Sequence, residues 1–265
     1  MRPLAVIGNI ARDVVDGGPP RIGGGAYYAA QALRLTASPA RIATKSAPAD
    51  RELVQRLVRL GVPVSWRPAA STAAFSFTYD GDERRMSVDE LGEPWTPREA
   101  VEAAGDAVWV HLAALARSDF PPATLAALAR GGRRISFDGQ GLTRVPHVGP
   151  LEVDDDFDRE VLRHVRILKL AEDEAAVVGA RDEDGLRALG VPEILLTRGS
   201  RGSLIWWRGR LEPVVAQRLA RATDPTGAGD AFAASYLAAR ALGYEPRGAA
   251  RRASSIVSTL LSRRR

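Results

Sequence analysis

Seven residues late in the chain, Asp224-Pro225-Thr226-Gly227-Ala228-Gly229-Asp230, set two acids around a turn of small side chains. Pro225 stops any preceding regular structure, and Gly227 and Gly229 let the backbone turn tightly with no Cβ in the way. From Ala231 onward Phe232, Tyr236, Leu237 and Leu242 recur at helical spacing, which predicts a helix starting between Ala228 and Asp230. A helix start leaves its first N–H groups without intrahelical partners and carries the positive end of the macrodipole, so together they form an anion site. Asp230 falls where that site opens. A carboxylate beside a phosphate-sized anion hole can take the proton of a hydroxyl as its oxygen attacks phosphorus. The plainer reading of the same residues is an N-capped helix with glycines for a tight turn.

Such a site needs a frame to hold it, and the rest of the chain alternates strand and helix. Residues 4–8 read as a buried strand ending in the turn 9–13, which places Asp13 just beyond the strand's C-terminal end, where open α/β sheets bind ligands. On position alone Asp13 is equally a solvated loop acid. Gly23, Gly24 and Gly25 lead through Tyr27 and Tyr28 into a helix, and residues 40–44 form a second strand. Residues 50–61 follow as a helix with Leu53, Leu57 and Leu60 on one face. Residues 73–79 alternate, turn at Asp80-Gly81-Asp82 and resume at 84–88, a hairpin that interrupts the rhythm and should project from the main sheet. From Thr96 helices at 96–104 and 122–130 alternate with strands at 107–112, 133–138, 166–170 and 193–197, then a strand at 203–207 and a helix at 247–261. That alternation calls for parallel strands joined by right-handed helical crossovers. Asp138 closes its strand, a substrate-side position or a loop cap.

Composition narrows the classes. At 265 residues, with 45% hydrophobic and 26% charged side chains, the chain reads as one large soluble α/β domain. It has no cysteine, which excludes a disulfide frame, a thiolate metal site and a cysteine nucleophile. The opening M-R-P-L-A-V-I-G is too short for a signal peptide, and no apolar run of about 18 residues exists. A cytoplasmic protein is expected, with no membrane partner. The net charge of +5 and the pI near 10.0 come almost wholly from scattered arginines, Lys45 and Lys169 being the only lysines. Without an aromatic-basic platform or a recognition helix, nucleic acid is not an expected partner.

The stretch D-P-T-G-A-G-D resembles the C-terminal signature of the ribokinase-like (PfkB) family of carbohydrate kinases. Weaker support comes from the G-x-x-x-x-D start at Gly8–Asp13, the glycines 23–25, the stretch 169–174 and T-R-G-S-R-G at 197–202. The resemblance implies a three-layer α/β/α fold with a mainly parallel central sheet, a single domain over 1–265 and a small β lid drawn from about 10–22 and 63–95. It implies an ATP-dependent kinase that moves the γ-phosphoryl group to a hydroxyl of a small sugar or polyol, with Mg²⁺. Carried over, Gly227, Ala228, Gly229 and Asp230 form the anion hole and Asp230 is the base. Asp13, Gly24, Gly25, Tyr28 and Asp138 face the substrate, Thr197, Arg198, Gly199, Gly202 and Thr226 the nucleotide, and Glu174 the metal. The chain departs from the family at two asparagines, replaced by Tyr28 or Ala29 and by Ala171. Within the family, D-P-T-G-A-G-D, I-L-K-L-A-E-D-E and D-G-Q-G-L-T-R are most similar to the myo-inositol kinase branch. A nucleoside kinase of the same fold, with a tyrosine clamping the base, is the alternative enzyme, and a non-catalytic nucleotide or polyol sensor the alternative from another class. A homodimer through the lid is the partner expected besides the substrate.

Overall fold

Short apolar runs become the central strands of a computed structural model that describes residues 3–36, 38–80, 83–217 and 224–263. In chain order the strands are β1 (Leu4–Ile7), β2 (Ala11–Val15), β3 (Arg21–Gly23), β4 (Ala40–Ser46), β5 (Val64–Pro68), β6 (Ala73–Asp80) and β7 (Glu83–Glu90). They continue with β8 (Trp109–Leu112), β9 (Arg134–Asp138), β10 (Gly149–Pro150), β11 (Val165–Ala171), β12 (Glu193–Thr197), β13 (Ser203–Trp207) and β14 (Arg210–Val214). The α-helices are α1 (Gly25–Leu33), α2 (Arg51–Val58), α3 (Pro97–Ala104), α4 (Pro122–Arg130), α5 (Gln140–Thr143), α6 (Glu172–Val177), α7 (Glu183–Ala188), α8 (Ala228–Ala241) and α9 (Pro246–Ser262).

Nine strands pair in the order β14-β13-β12-β11-β9-β8-β1-β4-β5. The sheet is parallel from β5 to β12, and β13 and β14 add antiparallel at one edge. Its middle strands are buried on both faces, which is why they read as largely apolar runs rather than alternating ones. Ile7, Leu112, Phe137 and Leu168 point to the face covered by α3, α4, α6 and α7, whose Ala100, Leu125, Ala175 and Leu186 join the same core. Val6, Ile42, Ile167 and Leu195 point the other way, onto Ala29, Leu57, Phe232 and Ala253 of α1, α2, α8 and α9. Three layers result.

The second sheet, ordered β10-β7-β6-β2-β3, stands off the first. Ala11, Phe75, Phe77 and Val88 form its inner face and pack with Leu115. Two details differ from the expected lid segments. Residues 64–68 run in the large sheet, as β5 paired parallel to β4, and Gly149–Pro150 adds a strand from far along the chain. The turn expected over residues 9–13 also becomes mostly strand, since β2 finds β6 and β3 as partners. At the join between the sheets, buried Lys45 donates to the Pro94 carbonyl and to Glu99, both at 2.8 Å, and reaches Glu93 at 3.3 Å. Beside it Asn9 donates to the Glu93 carbonyl at 3.1 Å and accepts from the Trp95 indole at 3.0 Å.

Candidate active site

The turn before α8 is shaped by one residue. Gly227 takes φ +74°, a left-handed conformation, and a Cβ there would lie 2.0 Å from the ring of Tyr28. The helix then begins at Ala228, so the N–H groups of Gly229 and Asp230 fall in its first turn, beyond reach of any intrahelical carbonyl. The Ala228 N–H donates to the Pro225 carbonyl at 2.9 Å, which closes the turn. The Thr226 N–H likewise donates to the Asp224 carboxylate at 2.9 Å, closing an Asx turn; this places Thr226 in the architecture of the loop.

Asp230 stands in the first turn of α8 with its Oδ1 buried and making no hydrogen bond among the described residues. A Cβ on Gly25 would come within 2.9 Å of that oxygen, and one on Gly23 within 1.9 Å of Asp13 Oδ2. The three glycines therefore run between two carboxylates, Asp13 at one end and Asp230 at the other. Gly24, the N-cap of α1 at φ +90°, turns the chain between them. Asp13 itself is buried within β2, so it is no loop acid.

Behind Asp230 lies a buried charge cluster assembled by strand register. Asp138 ends β9, and Lys169 of β11 is its direct partner across the parallel pair. The Lys169 ammonium sits 3.4 Å from Asp138 Oδ1 and 3.5 Å from Glu174 Oε2. Glu174 Oε2 also accepts the Ala171 N–H at 2.7 Å, so the acid reaches back to cap its own helix where the family's asparagine is missing. Asp138 accepts the Gln140 N–H at 3.1 Å through Oδ1, while its Oδ2 makes no hydrogen bond among the described residues. It is thus both a loop cap and an acid facing the site. Burial raises the Asp230 pKa, Asp138 and Glu174 add to the rise, and Lys169 and Arg144 oppose it, leaving a value of about 7. Burial works against the charge on Lys169, but Asp138, Glu174 and Asp230 outweigh it and hold its pKa above the ordinary lysine value. Burial likewise raises Glu174, against the pull of Lys169.

On the other side of the Gly229 turn a cavity of about 610 Å³ opens between α8, α9 and the β12–β13 turn. Thr197, Gly199 and Gly202 line it; Arg198 does not. Phe232, Val257 and Leu261 supply an apolar wall. It is the C-terminal half of α9 that faces this space. Tyr28 is only 9% exposed and packs on Gly227, and Ala29 is wholly buried. Two cations escaped the sequence reading as site residues: Lys169 and Arg144, whose charge also acts on Asp230. A signal for Lys169 existed. It is one of two lysines in a chain that otherwise uses arginine, and it interrupts an apolar strand. Among the described residues no three His, Cys, Asp or Glu side chains form a metal cage, and no helix is long and apolar enough to cross a membrane.

The profile of the pfkB family of carbohydrate kinases matches residues 51–264. A fructokinase of Klebsiella pneumoniae is 34% identical over 147 residues, 51% of this chain and 46% of the relative. The chain thus spans about half the length of the curated relatives it matches. Solved structures share the fold over nearly the whole chain. A pyrophosphate-dependent kinase in the ribokinase family, complexed with a pyrophosphate analog and myo-inositol, superposes with a TM-score of 0.85 at 23% identity, covering 97% of this chain and 94% of that one. The nucleoside kinase of Burkholderia thailandensis with inosine gives 0.77 at 23% identity (98% and 91%), and the Arabidopsis thaliana ribokinase with ribose and ATP gives 0.76 at 19% (99% and 93%).

Proposed function

The chain belongs to the PfkB family of carbohydrate kinases, and on that premise we propose that it transfers the γ-phosphoryl group of ATP to a hydroxyl of a small sugar or polyol. One observation carries the reading. A buried carboxylate with a free oxygen, Asp230, stands in the first turn of α8, between a glycine run that ends on a second acid and a cavity sized for a nucleoside.

The acceptor lies along Gly23–Gly25, where the lack of side chains lets it approach the backbone. Asp13 accepts hydrogen bonds from its hydroxyls and fixes its orientation. Asp230 takes the proton of the attacking hydroxyl, help worth ~10²–10⁴-fold. The N–H groups of Gly229 and Asp230, with the Lys169 ammonium behind them, stabilise the charge on the transferring phosphoryl group, in general the larger contribution. Asp138 and Asp230 each keep an oxygen with no hydrogen bond among the described residues, hard donors that suit Mg²⁺ reached through water rather than caged by side chains. Asp138 and Glu174 would hold that ion through water, and it would screen the charge of the donor phosphates.

The fold likeness to a kinase with myo-inositol bound, together with the three sequence stretches named above, supports a polyol acceptor of that class. A second donor reading has its own support. Lys169 approaches to within 3.4 Å of where a Gly229 Cβ would be, so a cation serves the anion turn without help from any nucleoside, as a pyrophosphate donor would need. The apolar cavity favours ATP. A panel of ATP and pyrophosphate against myo-inositol, ribose, fructose and adenosine decides both questions. Asp230→Asn should cut turnover ~10²–10⁴-fold while the melting temperature stays near that of the wild type; unchanged turnover would sink the mechanism.

A further inference from the structure

We propose that Tyr28 is a positioning residue of the phosphoryl-transfer site, the platform on which the anion-binding turn is set, and not a contact of the acceptor. The proposal rests on the kinase reading above. Helix α1 touches both ends of the four-residue turn: Gly25, in its first turn, meets Asp230, and Tyr28, at its next turn, meets Gly227. The second contact is intimate. A Cβ on Gly227 would lie 2.0, 2.2 and 2.4 Å from three carbons of the Tyr28 ring, so the glycine backbone rests flat on the aromatic surface. The ring is itself held, buried within α1 and edge-on to Tyr27 with centroids 5.4 Å apart. An aromatic side chain with two torsions makes a rigid support.

The mechanical consequence follows from the left-handed φ of Gly227. That conformation turns the chain into α8, so the ring beneath Gly227 sets the direction in which the Gly229 and Asp230 N–H groups leave the turn. With a smaller side chain at 28, the void beneath Gly227 lets the amides tilt. A displacement of about 1 Å in positioned groups costs on the order of 10²-fold in rate. The resulting defect falls on the donor phosphate and on turnover, because the acceptor is oriented by Asp13 and the glycine run.

Steady-state kinetics of Tyr28→Leu, Tyr28→Phe and Gly227→Ala test this, with melting temperatures in parallel. Tyr28→Leu should lower kcat about 10–100-fold and raise the donor KM, with the acceptor KM within about twofold of wild type; Tyr28→Phe, which keeps the ring, should recover most of the loss. Gly227→Ala should give the same pattern from the other side of the contact. Tyr28→Leu combined with Gly227→Ala should lose less than the product of the two single losses. A rise in acceptor KM with the donor KM unmoved would make Tyr28 an acceptor contact and overturn the proposal. Wild-type kinetics in a folded Tyr28→Leu protein would overturn it too. Calorimetric binding of pyrophosphate gives a readout independent of catalysis, and Tyr28→Leu, or Tyr28→Met should the leucine variant not fold, must bind it at least about tenfold more weakly. Absence of phosphoryl transfer in the wild type would defeat the kinase reading alone, while the pyrophosphate arm still decides the platform.

Discussion

In the proposed mechanism Asp230 is a base whose strength is set by residues remote from it in sequence. Burial and the charges of Asp138 and Glu174 bring its pKa to about 7. A base must be ionised to act, so kcat/KM should rise with pH through about 7, and the profile reports the free enzyme. Asp138→Asn removes a negative neighbour, lets Asp230 ionise more easily and should move that limb to lower pH. Lys169→Met removes a positive neighbour and should move it up. A limb that stays in place in both variants would assign the titration to another group. For stability the sign is opposite to that of activity. The folded pKa lies above the unfolded 3.8, so the contribution of protonated Asp230 is fully present below 3.8 and lost as pH rises through about 7. The identity and placement of this acid were readable from D-P-T-G-A-G-D. Its pKa was not, because Asp138 and Lys169 become neighbours only through the β9–β11 register.

Helix α8 carries the site at one end and is fastened at the other. Its start could be read from the glycines and the apolar spacing; its anchor could not. Glu193, fully buried at the first position of β12, accepts from the Tyr236 hydroxyl and takes two bonds from Arg240 at 3.0 Å. Arg240 also donates to the Tyr244 carbonyl at 2.6 Å, which ties in the chain entering α9. Glu193→Ala leaves the guanidinium and the phenol without their acceptor and should cost about 3–5 kcal/mol, measured by urea unfolding. A loss below about 1 kcal/mol would show that packing alone seats the helix. At β2 the reading of a loop failed for a similar reason. The stretch A-R-D-V-V is too short and too polar to announce a strand, and only β6 and β3, brought beside it by the fold, make it one.

Across the whole molecule, the regions proposed for donor and acceptor meet at α8 but are built by different parts of the chain. The cavity beside Gly229 draws on the β12–β13 turn, α8 and the last half of α9. The acceptor side draws on β2, the glycine run and the small sheet, fastened to the body through Lys45 and Asn9. This separation allows a clean test of the donor. Val257→Trp should fill the cavity and raise the KM for ATP at least about tenfold, with the KM for the acceptor and for any pyrophosphate-driven reaction unchanged. A normal ATP KM would show that the nucleoside binds elsewhere.

Local chemistry carries its own signature, and for that reason the α/β alternation, the glycine turn, Asp230 at the start of its helix and Asp138 at the end of its strand could all be found by reading along the chain. Apolar runs mark buried strands, and glycine marks a backbone that another group must approach. What depended on folding was everything made by residues far apart in sequence. Lys169 was joined to Asp138, Tyr28 was laid beneath Gly227, Glu174 was turned back on Ala171, and five short strands were gathered into a second sheet. Pairing and burial have no expression in a one-dimensional pattern, because the partner that supplies the charge, the void or the missing hydrogen bond is chosen only when the sheet closes and the helices settle on it.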